Sequence, residues 1–287
     1  MNCRIGGIVL TNVTYHSMNY YIPDVPTLQT LASSNKQRYA EGNPFPHIYL
    51  DNVFPEEALN NVLDEFPGAN GAHWQRYSNA QELKLALKDE SNYGAFTRHF
   101  IYSLNSRPFL NFLEELTGIR GLIPDPYLEG GGLHQIVRGG LLKIHADFNK
   151  HPITNLDRRL NVLIYLNKDW EESYGGHFEL WDRNMEKAEV KILPLFNRMA
   201  IFSTTSYSYH GHPDALNCPE DRTRKSIALY YYTNGRPEEE IDPTLGSHTT
   251  LFKIRRHRTE DFKKGIRLGL KDFVPPVLMH AYNKLRS

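Results

Sequence analysis

One stretch of the chain, Leu142-Lys143-Ile144-His145-Ala146-Asp147-Phe148, alternates apolar and polar side chains. Because successive side chains of a β-strand point to opposite faces, this stretch predicts a strand with one polar and one apolar face. The same kind of alternation recurs over Asn161–Leu166 and over Arg224–Leu229. We expect the polar faces of the three strands to line a cavity and the apolar faces to lie outside.

Short strand patterns fill residues 133 to 234 between turn signals such as Gly139-Gly140, Gly175-Gly176 and Asn197-Arg198. No helical pattern interrupts them, which favours an antiparallel barrel or jelly roll. We therefore predict a mainly β fold with flanking helices, of the α+β class, whose core is residues 133–234.

The region before this core contains helical patterns. Apolar residues in Arg107–Gly118 follow the i, i+3, i+4, i+7 spacing of an amphipathic helix, and Gly118 is placed to end it. A second helix is predicted over Pro55–Phe66, and a loop over Ile22–Pro26. We expect residues 1–132 to support the same domain by packing helices on the apolar faces of the barrel.

Residues 235–287 form a basic extension. Residues 253–287 contain ten Lys or Arg against three acidic residues. Helices are predicted over Thr259–Leu270 and after Pro276. A solvated helix face explains the basic residues most simply, and a docking surface for an acidic partner or an anionic membrane is the alternative.

Composition limits the other classes of protein. The chain has 287 residues, with 33 basic and 33 acidic side chains, so no global charge points to nucleic acid. The two cysteines, Cys3 and Cys218, do not form a disulfide framework, which suits a reducing compartment. We find no signal peptide and no apolar run long enough for a membrane span, and we expect a cytosolic protein.

His145, Asp147 and His210 are candidate metal ligands. Residues i and i+2 of a strand point the same way, so His145 and Asp147 can bind one ion together. Two histidines and one carboxylate suit a non-haem iron(II) site that leaves open positions. An isolated His-x-Asp pair is also common by chance, usually as a surface hydrogen-bonded pair. His212 is a competing candidate for the third ligand.

Arg224 and Ser226 lie fourteen and sixteen residues beyond His210, on one face of a predicted strand. A guanidinium and a hydroxyl placed in this way can hold one end of a dicarboxylate. The alternative is a surface arginine in an ordinary ion pair. Since the opposite face of the strand is apolar, that alternative requires a partner for a buried arginine.

The spacing of His145-x-Asp147, His210 and Arg224-x-Ser226 resembles the signature of the iron(II) and 2-oxoglutarate dependent oxygenases. The segment Val162–Trp170, followed by Gly175-Gly176, is similar to their prolyl 4-hydroxylase-like branch. The resemblance covers about residues 133–233. It implies a double-stranded β-helix, a cupin-like jelly roll.

This resemblance also implies roles for individual residues. His145, Asp147 and His210 would hold Fe(II), and Arg224 would pair with the distal carboxylate of 2-oxoglutarate. Tyr165 would hydrogen-bond the same carboxylate, with Ser226 or Asn161 assisting. The implied cosubstrates are 2-oxoglutarate and O2, and ascorbate is a further candidate cofactor.

The implied reaction is hydroxylation of an unactivated carbon, with release of succinate and CO2. The retained carboxylate of Asp147 favours oxidation over halogenation, which in relatives requires a small residue at this position. The spacing from His210 to Arg224 is longer than is usual in the family, so we expect Gly211–Arg222 to form an inserted loop over the site.

Other classes of function stay open at this level. The same barrel could be a cupin-like metal-binding protein, or a metal-dependent isomerase or hydrolase that does not use 2-oxoglutarate. A catalytically silent relative is a third class. Arg224 and Tyr165 discriminate between these classes, because a simple metal module does not need them.

The substrate is not specified by the sequence. We expect a prolyl or amino-acid-like compound, another small molecule or a peptide, and no nucleic acid. Six further residues are candidates for the cavity wall: His134, Gln135, Arg138, His177, Trp181 and His212. For each of them an ordinary packed or surface role is an equal expectation.

Overall fold

The structure is a computed structural model, and it describes residues 21–71, 73–241 and 243–255. The helices are α1 (Val25–Ala40), α2 (Glu56–Asp64), α3 (Ala95–Leu104) and α4 (Arg107–Thr117). The strands are β1 (His47–Asp51), β2 (Gln75–Ser78), β3 (Glu82–Leu87), β4 (Ile123–Pro124), β5 (Gly132–Ile136), β6 (Leu141–Ala146), β7 (Asp157–Tyr165), β8 (Phe178–Trp181), β9 (Ala188–Ile192), β10 (Arg198–Ser203), β11 (His210–His212), β12 (Arg224–Thr233) and β13 (Leu251–Phe252).

Ten of the strands form one antiparallel path in the order β1-β10-β7-β12-β5-β3-β6-β11-β8-β9, and β2, β4 and β13 pair beside it with β3, β12 and β6. Strand β3 joins its two halves, because its C-terminal part pairs with β5 and its first two residues pair with β6. The path therefore wraps into a nearly closed barrel. This architecture confirms the predicted jelly roll with flanking helices.

The predicted division into two faces is confirmed for β7 and β12. Residues directly opposite each other share a face, and Tyr165 lies opposite Ser226 on the inner side. On the outer side Ile164 lies opposite Ile227. Both isoleucines are fully buried in the main apolar core, which also contains the buried face of α4. The helices thus cover this half of the barrel as expected.

The prediction for β6 was wrong in one respect. The helices do not cover its apolar face. Ile144 and Ala146 pack instead against Trp181, Met185 and Tyr209, which lie on β8 and in the loops that follow β8 and precede β11. Alternation identifies an apolar face, but it does not specify which element buries that face.

Helices α2 and α4 confirm the two helix predictions. Helix α4 ends at Gly118, which has the left-handed φ of 76° that glycine adopts at low cost. The loop predicted over Ile22–Pro26 was wrong at its end, because α1 already begins at Val25. The side chain of Asp24 accepts a hydrogen bond from the amide of Thr27 at 2.9 Å, and Pro26 lies in the first turn, where no amide donor is needed.

The region before residue 133 contributes four strands as well as four helices. Strand β1 pairs with β10 at one end of the path, and β3 joins its two halves. The C-terminal helices predicted after residue 258 lie outside the described residues. Within the described residues, no helix is long and apolar enough to cross a bilayer.

The segment between β11 and β12 closes one end of the barrel. Leu216 exchanges two backbone hydrogen bonds with the Gly139-Gly140 turn, at 2.9 and 3.0 Å. Its side chain is buried with Ile136, Trp170 and Cys218. Most of the long spacing from His210 to Arg224 is therefore a loop that packs over the end of the cavity where Arg224 lies, as predicted, but Gly211 and His212 at its start belong to β11.

Candidate functional site

His145, Asp147 and His210 meet inside the barrel. His210 on β11 lies directly opposite His145 on β6, and Asp147 follows the last residue of β6. The Nε2 atoms of His145 and His210 each lie 3.5 Å from a carboxylate oxygen of Asp147. One potential ligand atom from each residue lies within 4.8 Å of the other two. Among the described residues, this is the one such cluster, and it does not include His212.

Both histidines present the same ring nitrogen to the centre of the cluster. The Nδ1 atom of His145 is 2.8 Å from the carbonyl of Lys143, and Nδ1 of His210 is 2.8 Å from the carbonyl of Ser208. Each carbonyl requires the proton to be on Nδ1, which leaves a lone pair on each Nε2. Burial lowers the pKa of His210 to about 4, so its ring is neutral. The donor set therefore fits a divalent metal such as Fe(II).

Asp147 is held by one hydrogen bond and one ion pair, both at its Oδ2 atom. The amide nitrogen of Asn161 donates a hydrogen bond to Oδ2 at 2.7 Å, and a terminal nitrogen of Arg158 lies 3.0 Å away. That ion pair falls outside hydrogen-bond geometry. Burial acts to raise the pKa of Asp147, but Arg158 and the two histidines outweigh burial and hold the pKa well below its usual value. The carboxylate is consequently ionised and oriented.

Asn161 does not lie where the sequence placed it. We predicted Asn161 as an assistant at the distal carboxylate of 2-oxoglutarate, beside Arg224. It lies four residues before Tyr165 on β7, which separates the two Cα atoms by about 13 Å along the strand. Its amide is used by Asp147 and by Arg158, whose Nε donates to Oδ1 of Asn161 at 2.9 Å. Asn161 thus supports the metal end of the cavity.

Arg158 is a site residue that was not predicted from the sequence. It is only 1% exposed, and its guanidinium lies 3.5 Å above the ring of Tyr230 and 4.5 Å from that of Phe148. A usable signal was the pair Arg158-Arg159 at the start of an otherwise apolar strand. A buried arginine needs an anion nearby, and here that anion is Asp147.

Arg224 lies at the other end of the same cavity. It is 5% exposed, and its Nε donates a hydrogen bond to the carbonyl of Gly176 at 2.8 Å. One terminal nitrogen reaches the hydroxyl of Tyr165 at a long 3.5 Å. Among the described residues no carboxylate lies within ion-pair distance of it, and burial lowers the pKa of its guanidinium. The alternative of an ordinary ion pair is therefore not supported.

The surroundings of Gly176 show why the Gly175-Gly176 turn has a glycine at its second position. Its φ is 74°, and an added Cβ would lie 2.6 Å from a methyl group of Leu216 and 3.0 Å from Cδ of Arg224. A side chain at this position would push against the stem of the arginine. The glycine thus lets the backbone approach Arg224 closely enough to orient it.

The two ends belong to one cavity, since His210 and Arg224 both line it. Its wall is made by Lys84, His134, Ile136, Leu142, Asn161, Leu163, Phe178, Phe202, His210, Gly211, His212, Arg224 and Ser226. Tyr165 is fully buried behind this wall and reaches it through Arg224. The contribution of Lys84 was not predicted, because β3 lies in the region for which only helices were expected.

Of the six further residues predicted as candidates for the wall, the structure places His134 and His212 on it. The other four bond elsewhere. Gln135 donates to Thr223, Arg138 to the loop at Cys218, and Trp181 to Glu179, while His177 lies 2.8 Å from Glu172. Their ordinary structural role is thus the one observed.

Comparison with known proteins identifies the class. Residues 131–232 match the sequence model of the 2OG-Fe(II) oxygenase superfamily. The chain carries a 2OG-Fe(II) oxygenase domain. It is accordingly a 2-oxoglutarate-dependent enzyme whose cofactor is Fe(II), and the His-Asp-His cluster fits that metal.

Two solved structures share the fold of this oxygenase. A prolyl hydroxylase from Trichoplax adhaerens, solved with a peptide fragment of the hypoxia inducible factor oxygen degradation domain, is 19% identical with a TM-score of 0.53. The match covers 72% of this chain and 91% of that one. A prolyl-4-hydroxylase from Pseudomonas putida is 11% identical with a TM-score of 0.51, covering 71% of this chain and 100% of that one. These likenesses confirm the prolyl hydroxylase type of fold.

Proposed function

We propose that the chain hydroxylates an unactivated carbon of a prolyl or other amino-acid-like substrate, free or in a peptide. Fe(II) would be held by His145, Asp147 and His210. The distal carboxylate of 2-oxoglutarate would be held by Arg224, with Tyr165 and Ser226 beside it. When bound, the iron and cosubstrate would supply the oxidising chemistry, in which 2-oxoglutarate is oxidised by O2 to succinate and CO2, one oxygen atom of O2 entering succinate and the other entering the C–H bond of the substrate.

One observation carries the proposal. A buried guanidinium with no carboxylate partner among the described residues lies in the same cavity as the two-histidine, one-carboxylate cluster. A metal module without a cosubstrate does not need this arginine. A diacid that reaches from the metal to Arg224 would satisfy both ends of the cavity.

The residues of the chain contribute orientation and exclusion of water. The carbonyls of Lys143 and Ser208 fix the orientation of the two rings and favour the neutral tautomer whose proton is on Nδ1, and Asn161 keeps the Asp147 carboxylate in place. Apolar side chains of Phe178 and Phe202 line the cavity and pack against the ring of His210. Such walls keep bulk water from a reactive centre and strengthen the charge interactions inside.

The substrate is the finer part of the proposal. The two solved structures support a prolyl substrate through fold alone, and one fold hosts many substrates. Another small molecule is therefore the second candidate class.

The proposal is tested by anaerobic purification, loading with Fe(II), and measurement of succinate formed from 2-oxoglutarate on admission of air. We expect succinate formation that requires both Fe(II) and 2-oxoglutarate and that rises when pooled peptides or metabolites contain a substrate. A wild-type protein that binds neither Fe(II) nor 2-oxoglutarate would contradict it.

A further inference from the structure

His212 is a buried side chain whose two ring nitrogens make no hydrogen bond with any of the described residues. The residue is 3% exposed, and neither Nδ1 nor Nε2 has a hydrogen-bond partner among the described residues. Buried polar side chains in folded proteins are almost always paired. An imidazole with both nitrogens unpaired therefore indicates a ligand that completes its bonding.

The position of His212 shows which part of a ligand it would meet. It lies two residues beyond His210, after an irregularity in the register of β11, and opposite Leu142 on β6. Two residues of a strand span about 6.7 Å, so His212 lies one step away from the metal cluster. It lines the cavity together with Arg224 and Ser226.

His134, the other unassigned histidine of the wall, differs in its chemistry. Its ring is hydrogen-bonded to the backbone at Gly130 and Gly131, and only its Nε2 lacks a partner. Burial lowers the pKa of His134 to about 3, so the ring is neutral. A neutral ring that donates through one nitrogen presents a lone pair at the other, which does not suit a carboxylate. His212 carries one N–H in either neutral tautomer, and no backbone group uses that N–H.

We infer that His212 donates a hydrogen bond to the carboxylate end of 2-oxoglutarate beside Arg224 and Ser226, and so selects a dicarboxylic keto acid over a monocarboxylic one. This inference rests on the proposed function. His212 is then a specificity-determining residue and not a metal ligand. The carboxylate held at Arg224 gains a neutral donor, and the orphan histidine gains an acceptor.

The test compares wild type with His212→Leu, which removes both nitrogens, and with His212→Gln, which keeps a side-chain N–H donor. Each protein is loaded with Mn(II) under anaerobic conditions. Calorimetry then gives the dissociation constants of Mn(II), of 2-oxoglutarate and of 2-oxobutanoate, a keto acid without the second carboxylate. His177→Leu serves as a control, since His177 bonds Glu172 away from the cavity.

We expect His212→Leu to weaken 2-oxoglutarate binding about tenfold or more, with His212→Gln intermediate and with Mn(II) and 2-oxobutanoate affinities unchanged. The inference is overturned if His212→Leu binds 2-oxoglutarate within about twofold of wild type. It is also overturned if the affinities for both keto acids fall by the same factor, or if the affinity for Mn(II) falls as much as that for 2-oxoglutarate, because His212 would then act at the metal end. Should His212→Leu fail to fold, an unchanged 2-oxoglutarate affinity in His212→Phe, which keeps an aromatic ring but has no N–H, decides against it. A wild type that binds no 2-oxoglutarate refutes the proposed function itself.

Discussion

The two ends of the cavity are built in opposite ways. At the metal end all three candidate ligands have further protein partners: the Nδ1 atoms of His145 and His210 contact carbonyls, and Oδ2 of Asp147 contacts Asn161 and Arg158. The other end of the cavity is the one lined by Arg224 and His212. Among the described residues, the Arg224 guanidinium has no carboxylate partner and the His212 ring has no hydrogen bond. The protein thus completes the metal end by itself and leaves the other end for a ligand to complete.

This contrast has a physical reason. A bare metal site has to keep three ligands close together without metal, and outer hydrogen bonds supply that rigidity. A pocket binds a carboxylate most tightly when its hydrogen-bond donors have no partner within the protein, since such a partner would compete with the ligand. The contrast predicts that substitutions at the two ends affect different binding steps.

The largest effect is expected for His145→Ala. It removes one of the three ligand atoms, so we expect loss of tight Fe(II) or Mn(II) binding and no detectable turnover. Metal binding is measured by calorimetry under anaerobic conditions and turnover by succinate release. Retention of wild-type metal affinity would show that the cluster is not the metal site.

Arg224→Ala is expected to weaken 2-oxoglutarate binding without weakening metal binding. Truncating one partner of a buried charge pair costs about 2–5 kcal/mol, which is roughly thirtyfold or more in 2-oxoglutarate affinity. Metal affinity should stay close to wild type. Lys225→Ala, at a neighbouring position on the opposite face of β12, is the control and should leave both affinities unchanged. Equal 2-oxoglutarate affinity in Arg224→Ala and wild type would remove the assigned role.

Asn161→Ala tests whether the metal end is held from outside the cluster. Loss of an outer hydrogen bond to a metal ligand lowers metal affinity about 10–100-fold, and we expect this for Mn(II) measured by calorimetry. Asn167→Ala is the control, because the side chain of Asn167 bonds the backbone of Pro194 and Lys225 and not Asp147. If Asn161→Ala instead weakened 2-oxoglutarate binding alone, the original sequence prediction for Asn161 would be restored.

Tyr165→Phe is expected to have the smallest effect. The hydroxyl is 3.5 Å from Arg224 and fully buried, and one hydrogen bond contributes about 0.5–1.5 kcal/mol. We therefore expect a roughly three- to tenfold loss of 2-oxoglutarate affinity. A loss as large as that of Arg224→Ala would mean that Tyr165 contacts the diacid more strongly than its position behind the wall suggests.

The sequence alone predicted which residues form the metal cluster and which face of each strand is polar. Alternation over residues 142–148 predicted the strand, and the spacing of His145, Asp147 and His210 predicted the cluster that the structure brings together. Alternation with a period of two residues shows only on which face of the sheet a side chain lies. It could not place Asn161 along the cavity, because distance along a strand depends on the register of its neighbours.

The same reason explains the other omissions. Helix α1 buries only Leu28, Ala32 and Tyr39 along its sixteen residues, so no clear apolar stripe marks it in the sequence. Arg158 looks like a surface charge until β12 brings Tyr230 over it. The sequence marks Arg158 only as an arginine in a strand, because its contacts are set by tertiary packing.

The most direct test of the contrast between the two ends is an anaerobic titration of wild type and Arg224→Ala, first with Fe(II) and then with 2-oxoglutarate. We predict tight Fe(II) binding to both proteins in the absence of 2-oxoglutarate, and 2-oxoglutarate binding that is strong in wild type and lost in the variant. A wild type that binds Fe(II) only after 2-oxoglutarate, or a variant that binds 2-oxoglutarate as wild type does, would contradict the account.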